Sequence, residues 1–474
     1  MKFSSSILFG LIFCLATACL HGQTETAHPP SDFDGVVPLS ELVRRGIITD
    51  EQSEYIRSGA VGIEPRVKVT KTMEQLTISG YMQFQYSYVD PNDEALPNPP
   101  ATNAFFSQNL VLGIDASLGQ GWHGVVNANF AEGFSNRNYL DSATITSSWK
   151  EWGKLAIGYQ KAHFGLEEYT SSRIIPAVER SIATRYFTSG FNRIGGGLFG
   201  NSLGGLGTTR LGLGARRLGV FWAGKIPGAD QLRYFVELTN GFQDFNPPVN
   251  TGSQNQLGYS GGVLYDYDGK LGPIFEGDWI DFTVGLNATY QPAGNSLSAG
   301  GLQQTNSITG LNPYAQFEFL DFHFIGELMT AWVERGRATG TSGPFSVTGF
   351  NTADANPIGV NFFAVYTFDK LIEPVFRFSM IDSDKAGINP NVVARGPAFG
   401  GPLPASYLSP IGVGFFDRAQ SYYFGFNWYV LGNTAKVSAG YERIEFQGRW
   451  DNLGGFNGPD ASEDAFRVRA QVVF

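Results

Sequence analysis

The sequence of 474 residues predicts an all-β fold, a transmembrane antiparallel β-barrel of about sixteen strands with short periplasmic turns and long extracellular loops. Three observations predict this fold. Apolar and polar side chains alternate over segments of about ten residues, the composition is rich in aromatic residues and poor in charge, and short connections alternate with long ones. Each is typical of a sheet that faces lipid outside and water inside.

The composition favours a barrel over a bundle of membrane helices. Aromatic residues make up 14% of the chain and charged residues 16%, and the mean hydropathy is -0.11. A helical membrane protein needs runs of about 18 or more apolar residues, and the sequence contains none. A strand with polar and apolar residues in alternation averages to near-neutral hydropathy, because half of its side chains face water.

The N-terminus predicts export from the cytoplasm. Lys2 precedes an apolar stretch over residues 7–20, and residues 16–18 follow the small-x-small cleavage pattern, so residues 1–22 are interpreted as a signal peptide. A lipoprotein acylated at Cys19 is the alternative. Cys14 and Cys19 both lie in this segment, so the mature chain is expected to have no disulfide and no thiol nucleophile. The net charge of -10 disfavours a nucleic-acid partner.

Residues 23–72 are predicted to form a periplasmic N-terminal segment with short helices. Ser40 and Thr49 are candidate N-caps, and residues 49–52 fit a capping box. Each helix would have about two turns, which is marginal without packing partners. A tether or plug at the barrel mouth is one interpretation, and a binding module is the other.

The barrel itself is predicted over residues 73–474 and begins with a strand over residues 76–88. One face of that strand carries Leu76, Ile78, Met82, Phe84, Tyr86 and Tyr88, and the other carries Thr77, Ser79, Gln83, Gln85 and Ser87. Further strands are predicted over residues 110–118, 122–131, 143–149 and 155–164, and around residues 220, 235, 263, 284, 317, 326, 364, 376, 424, 439 and 468. This pattern has period two, which is the period of a β-strand.

The lengths of the connections predict which end of the barrel faces the periplasm. Short joins at residues 119–121, 150–153, 320–321, 368–370 and 431–433 alternate with longer stretches at 89–102, 292–310, 336–357, 383–417 and 447–463. The longest connection follows the fifth strand and reaches about residue 217. An even strand count with short turns on one side is expected when both chain ends lie in the periplasm.

The last strand shows the alternation most clearly. Phe466, Val468, Ala470, Val472 and Phe474 fall on one face, and Arg467, Arg469 and Gln471 fall on the other. A soluble protein that ends in an amphipathic strand is the alternative for this segment alone. In an outer-membrane barrel, we expect Phe474 to be the contact with the barrel-assembly machinery.

Hydrogen bonding explains why such a chain would close into a cylinder. In hydrocarbon, every backbone N–H and C=O needs a partner within the protein, and closing the sheet supplies those partners. A barrel of about sixteen strands is wide enough to hold water. The sequence therefore predicts a water-filled channel for passive diffusion of small hydrophilic solutes or ions, with outer-membrane lipids around it.

The stretch over residues 158–181 carries a family resemblance. It reads G-Y-Q-K-A-H-F-G-L-E-E-Y-T-S-S-R-I-I-P-A-V-E-R-S and resembles the phosphate-selective porin family, the porins O and P of the Gram-negative outer membrane. The matching positions are Gly158, Lys161, Phe164, Gly165, Leu166, Glu167, Ser171, Ser172, Glu179, Arg180 and Ser181. The resemblance implies a homotrimer of sixteen-stranded barrels, a third long loop folded inward, and anions such as phosphate as candidate permeants.

The charges of that loop are the candidate constriction. Rings of charged side chains set selectivity in pores, because a narrow passage of low dielectric magnifies their field. The residues predicted to face the permeant are Lys161, Arg173, Arg180 and Arg185, and Glu167 and Glu179 are the acids predicted to hold them. The predicted lumen-facing wall residues are Asp115, Arg377, Lys436, Arg467 and Arg469, whose signs are mixed, so ion preference stays open. The alternative is that the ion pairs only pin the loop to the wall.

One histidine has neighbours in the sequence that could support catalysis. His163 lies near Glu167 and Glu168 in the sequence, which could make a metal or general-base site. No Ser-His-Asp pattern or metal-ligand spacing accompanies it, so no catalytic residue, metal site or cofactor is predicted. An outer-membrane barrel enzyme, a hydrolase or a lipid-modifying protein, is the alternative function, and a secreted soluble β protein is a third.

Overall fold

In the computed structural model, the residues whose structure is described are mostly β-strand. The structure describes residues 75–93, 101–131, 140–149, 153–188, 211–240, 257–270, 279–292, 307–334, 354–388, 390, 416–449 and 457–474. The predicted segments 1–22 and 23–72 lie outside these residues, so they and the boundary at residue 73 stay predictions. Among the described residues, no helix is long and apolar enough to cross a membrane.

Sixteen strands follow one another along the chain. They are β1 (Gln75–Asp93), β2 (Thr102–Gly119), β3 (Trp122–Asn129), β4 (Leu140–Ser148), β5 (Lys154–Lys161), β6 (Arg216–Ile226), β7 (Ala229–Asn240), β8 (Leu257–Lys270), β9 (Trp279–Pro292), β10 (Ser307–Phe319), β11 (Phe322–Glu334), β12 (Ile358–Tyr366), β13 (Ile372–Asp382), β14 (Phe416–Leu431), β15 (Ala435–Arg449) and β16 (Ala461–Val473). The predicted strand number is confirmed.

The strands form one closed barrel in which each strand pairs with its sequence neighbours. The pairing is antiparallel, and β1 closes the barrel on β16 with a register from Tyr81 opposite Val473 to Asp93 opposite Ala461. Closure removes the free strand edges, so the backbone hydrogen bonds of the wall are made within the protein. The predicted all-β, antiparallel barrel is confirmed.

The two faces of the wall differ as the alternation predicts. On β14, Phe424 and Trp428 are exposed, whereas Tyr423 and Asn427 are buried. The exposed residues point outward to form an apolar belt, and the buried ones point into the barrel. A belt of this kind faces lipid in outer-membrane barrels.

Several predicted strand ends were wrong, among them the start of β2, which lies at Thr102 instead of residue 110. Residues 89–93 of the loop predicted over residues 89–102 are strand, because β1 continues to Asp93 and pairs Pro91 with Glu463 of β16. This polar extension lies past the apolar belt, so the ladder continues without the alternation that marked it. The fifth strand ends at Lys161 instead of residue 164, because the chain there turns into the barrel.

The third long connection lies inside the barrel, as the family resemblance implies. Its described parts are residues 162–188 and 211–215, and the first contains two short helices, α1 (Leu166–Tyr169) and α2 (Ile182–Thr188). The helix α2 contacts β12, β13 and β14. A buried apolar cluster joins the loop to the wall, with members that include Phe164, Ile182, Tyr186, Phe187, Met329, Ala331 and Ile381. Burial of these side chains stabilises the inserted loop.

Candidate functional site

The loop leaves the wall at His163, which is held by a carboxylate of β7. The backbone N–H of His163 donates to Glu237 Oε1 at 3.1 Å, and its ring Nδ1 contacts the same oxygen. The imidazole is stacked between Phe235, at 4.5 Å between centroids, and Tyr169, at 3.9 Å. The acidic partner of His163 is therefore Glu237 of β7, and not Glu167 or Glu168, the two acids near it in the sequence.

A second wall carboxylate, Glu327 of β11, holds the start of α1. It accepts a hydrogen bond from the backbone N–H of Leu166, one from Asn312 Nδ2 at 3.0 Å and one from Asn361 Nδ2 at 3.1 Å. These donors satisfy a buried carboxylate that would otherwise be costly to desolvate. Glu327 thus fixes both the loop and the strands beside it.

The segment before α2 is held by Glu179. Its carboxylate pairs with Arg185 of α2, with Arg469 Nη2 of β16 at 3.1 Å, and with Gln85 Nε2 of β1 at 2.8 Å. Burial would raise the pKa of Glu179, but the guanidinium groups of Arg185 and Arg469 outweigh burial and lower its pKa to about 2. Glu179 is therefore charged at neutral pH and ties the loop to the wall.

Wall arginines continue this network on the side of β13 to β16. Arg377 is fully buried, donates to Glu442 Oε1 at 2.6 Å and to the backbone carbonyl of Glu179, and lies 5.0 Å from the Tyr423 ring centroid. Arg467 donates to Glu442 Oε2 at 2.8 Å. These arginines face the barrel interior, but they are buried under the loop and share the carboxylate of Glu442.

A less buried group of charges lies where the loop leaves the wall. Glu168 of α1 pairs with Lys161 Nζ at 2.6 Å and with Arg180 Nε at 3.1 Å, and both cations are 19% exposed. Burial raises the pKa of Glu168, and the coulombic effects of Arg180 and Lys161 outweigh it and lower the pKa to about 2. Arg216, opposite Lys161 in the ladder, pairs with Asp141.

Arg173 is the exposed cation of the described loop. Its neighbourhood is held inside the barrel because Gln83 Nε2 donates to the backbone carbonyl of Ser172 at 3.1 Å and Gln471 Nε2 donates to that of Arg173 at 3.3 Å. The guanidinium lies 5.5 Å from the Tyr81 ring centroid and reaches Ser171 Oγ at 3.3 Å. Within the described residues it has no ion-pair partner.

The structure separates the four cations predicted to face the permeant. Lys161 and Arg180 both form ion pairs with Glu168. Arg173 is exposed inside the barrel, whereas Arg185 is buried and paired with Glu179. The burial of Arg185 assigns it to loop attachment, so it is left out of the constriction proposed below.

One of the two predicted pinning acids, Glu167, has different partners from those expected, whereas Glu179 pairs with the predicted cation Arg185. Glu167 accepts two hydrogen bonds from the backbone N–H of Ser181, at 3.1 and 3.0 Å, and lies 3.7 Å from Arg377. The acid that holds Lys161 and Arg180 is its neighbour Glu168. Adjacent helix residues point about 100° apart. The sequence alone could not show which of the two adjacent glutamates faces the cations, because this depends on the path of the loop.

The predicted wall residues lie in different surroundings. Arg377, Arg467, Arg469 and Lys436 are buried, and Lys436 Nζ lies 5.8 Å from the Tyr429 ring centroid. Asp115 is exposed, with a side chain 52% accessible and 3.8 Å from His123. Sequence reasoning missed Glu237, Glu327 and Arg216 as loop or rim contacts. The strand alternation places Glu237 and Glu327 on the inward face, but alternation does not reveal which residues they contact.

The chain is similar to one protein family in sequence and to solved outer-membrane channels in fold. Residues 78–198 match the family model described as phosphate-selective porin O and P. The predicted resemblance is confirmed. The outer membrane channel DcaP of Acinetobacter baumannii is 13% identical and covers 85% of this chain and 99% of its own, with a TM-score of 0.50. An anion-selective porin from Comamonas acidovorans, also 13% identical, covers 84% and 99%, with a TM-score of 0.51.

These likenesses show the porin fold. No curated protein matches the sequence. The family match, the closed barrel and its apolar outer belt together identify an outer-membrane channel of the Gram-negative type. The predicted location and the predicted class of function are confirmed at this level.

Proposed function

We propose that this porin is a diffusion channel for small hydrophilic solutes that prefers anions. The observation that carries the preference is Arg173, an exposed cation without an acidic partner among the described residues, on a loop held inside the barrel. An unpaired charge in a narrow passage attracts ions of opposite sign.

Lys161 and Arg180 support the same preference more weakly. Both are partly exposed and both share the single carboxylate of Glu168, so the group carries an excess of positive charge. Arg180 also donates to the backbone carbonyl of Thr170 at 3.0 Å and to that of Glu168 at 3.3 Å. Because these donors are occupied, Arg180 acts on the permeant through the electrostatic field of its charge and not by bidentate hydrogen bonds to a phosphate group.

General anion preference is therefore the proposed property, and phosphate is one candidate permeant. The family description names phosphate and one structural relative is an anion-selective porin. The same family description favours a channel over the alternative of an outer-membrane barrel enzyme. A homotrimer and an assembly contact through Phe474 belong to the proposal as well, and cross-linking of outer-membrane fractions tests the trimer.

Reversal potentials in planar bilayers under a salt gradient test the proposed preference. The unmodified protein is expected to favour chloride over potassium. Arg173→Gln is expected to lower that ratio about twofold to fivefold, since one unscreened charge contributes about 1 kcal/mol at close range. Channel formation should be kept, because the Arg173 side chain has few contacts.

Lys370→Gln is the matched control. Lys370 lies in the exposed turn between β12 and β13, so the same charge is removed away from the loop. Lys161→Gln is expected to give a smaller shift than Arg173→Gln, since Glu168 already offsets that cation. A preference for potassium in the unmodified channel, or equal ratios for Arg173→Gln and Lys370→Gln, would refute the proposal.

A further inference from the structure

A cavity of about 450 Å³ lies beside the first helix of the inserted loop, against the wall formed by β5 to β10. This volume is within the range of about 300 to 1,000 Å³ that is common for small-molecule sites. The lining side chains on which the argument depends are Lys154, Lys225, Arg233, Tyr169, Phe235 and Tyr314. They comprise cations and aromatic rings.

The cations come from three adjacent strands near their short-turn ends. Lys225 of β6 is directly opposite Arg233 of β7, and Lys154 of β5 is opposite Ala223, two residues from Lys225. Phe221 of β6 and Phe235 of β7 lie on the same faces of their strands as Lys225 and Arg233, and both are buried. The cations therefore lie on the inward face. Side chains opposite each other in a ladder are neighbours in space.

The positive charge of this group is largely uncompensated. Arg233 Nε pairs with Asp266 Oδ2 at 2.9 Å. Within the described part of the chain, Lys154 and Lys225 have no ion-pair partner. Three cations therefore face one acid. The carboxylate of a bound solute could accept hydrogen bonds from the ammonium groups of the two lysines.

The rings supply flat surfaces for a planar group. Tyr169, His163 and Phe235 form a stack whose successive centroids are 3.9 and 4.5 Å apart, and Tyr169 is 50% exposed at its end. Tyr314 enters from β10, where its ring lies against Gly285, a position at which a side chain would collide with it. Aromatic rings gain from offset or edge contact with a further ring.

We propose that this cavity binds small aromatic carboxylates on their way through the channel. The proposal rests on the proposed channel function and names a solute class for it. An inorganic anion would gain from the lysines but not from the rings, and a neutral aromatic solute would gain from the rings alone. The combination of lysines and aromatic rings in this cavity selects a solute that has both features.

The test is block of single-channel current by added solutes in planar bilayers. Benzoate is the probe, acetate carries the charge without the ring, and benzamide carries the ring without the charge. Benzoate is expected to cause concentration-dependent closures at concentrations where acetate and benzamide cause none. Equal effects of benzoate and acetate would show a general anion effect and overturn the proposal.

Variants separate the cavity from the channel. Lys225→Gln is expected to raise the benzoate concentration for half block about twofold to fivefold, the size of one exposed ion pair, and Tyr169→Leu is expected to raise it as well. Lys370→Gln is the charge control and should leave block unchanged. Normal anion preference with unaltered benzoate block in both variants would reject the cavity while keeping the channel, whereas absence of channels would reject the proposed function itself.

Discussion

At the scale of residues, the inserted loop depends on a small number of buried charges. Glu179 connects the loop to β1 and β16 through Gln85 and Arg469, and Glu327 binds the start of α1. Removing one partner of a buried ion pair leaves the other charge without compensation, which is more costly than losing the attraction alone. The loop should therefore be sensitive to single isosteric changes at these positions.

Glu179→Gln is expected to loosen the loop by about 3 to 5 kcal/mol, because Arg185 and Arg469 stay buried without their shared anion. Hydrogen exchange over residues 166–188 measures the effect and should become faster, with noisier single-channel currents. Glu445→Gln is the matched control: that carboxylate is 34% exposed in its pair with Arg443, and such pairs contribute about 0 to 1 kcal/mol. Equal exchange in the two variants would contradict the role of Glu179.

Acid should release the loop over a defined pH window. Glu168 and Glu179 have pKa values lowered from 4.5 to about 2. A lowered pKa means that the ionised form stabilises the folded loop fully above pH 4.5, and this stabilisation is lost as the pH falls towards 2. Current recordings should be steady down to pH 4.5 and become unstable below it. Loop release complete at neutral pH would disagree with these assignments.

At the scale of elements, closure of the barrel depends on one glycine in β1. Gly80 and Phe474 exchange two backbone hydrogen bonds of 2.8 and 3.0 Å, and the Phe474 ring lies over Gly80. A Cβ at Gly80 would lie 2.5 Å from the carbonyl oxygen of Val111 and 2.7 Å from that ring. The strand junction therefore leaves no room for a side chain there.

Gly80→Val is expected to destabilise the closed barrel by about 1 to 3 kcal/mol, the usual cost of overpacking. The measurement is the temperature at which the fast-migrating folded form is lost on a denaturing gel. Gly124→Val is the control, because Gly124 of β3 has no atom within 4 Å of a built Cβ. If both variants melt alike, Gly80 has no special part in closure.

At the scale of the whole molecule, the closed wall separates two kinds of charge. Arg377, Arg467 and Arg469 are buried against acids and the loop, whereas Arg173 is exposed within the barrel. Exposed charges are screened by salt much more than buried pairs are. Ion preference and loop attachment should therefore respond differently to ionic strength.

Anion preference is expected to decrease as salt rises from 0.1 to 1 M, since the screening length falls from about 10 to about 3 Å. Reversal potentials at a fixed concentration ratio measure this change, and hydrogen exchange of the loop should stay nearly constant over the same range. A preference that is independent of salt would indicate selection by size and not by the field of Arg173.

The fold could be predicted from the sequence because its signal is local. Strand alternation has a period of two, so each segment identifies its own lipid-facing and lumen-facing residues, as β14 and β16 show. The strand number, the antiparallel order and the alternation of short and long connections followed from such segments. The ends of β1 and β2 were missed where the ladder extends past the apolar belt.

The site depended on contacts that the sequence does not encode locally. Glu179 pairs with Arg469, 290 residues away, and Leu166 is bound by Glu327, 161 residues away. Which loop carboxylate meets which cation is decided by the path of the loop inside the barrel. The sequence by itself determined a porin-type barrel with a charged third loop. Only the tertiary structure decided that Arg185 is an anchor and Arg173 is exposed, because burial and pairing arise when distant segments meet.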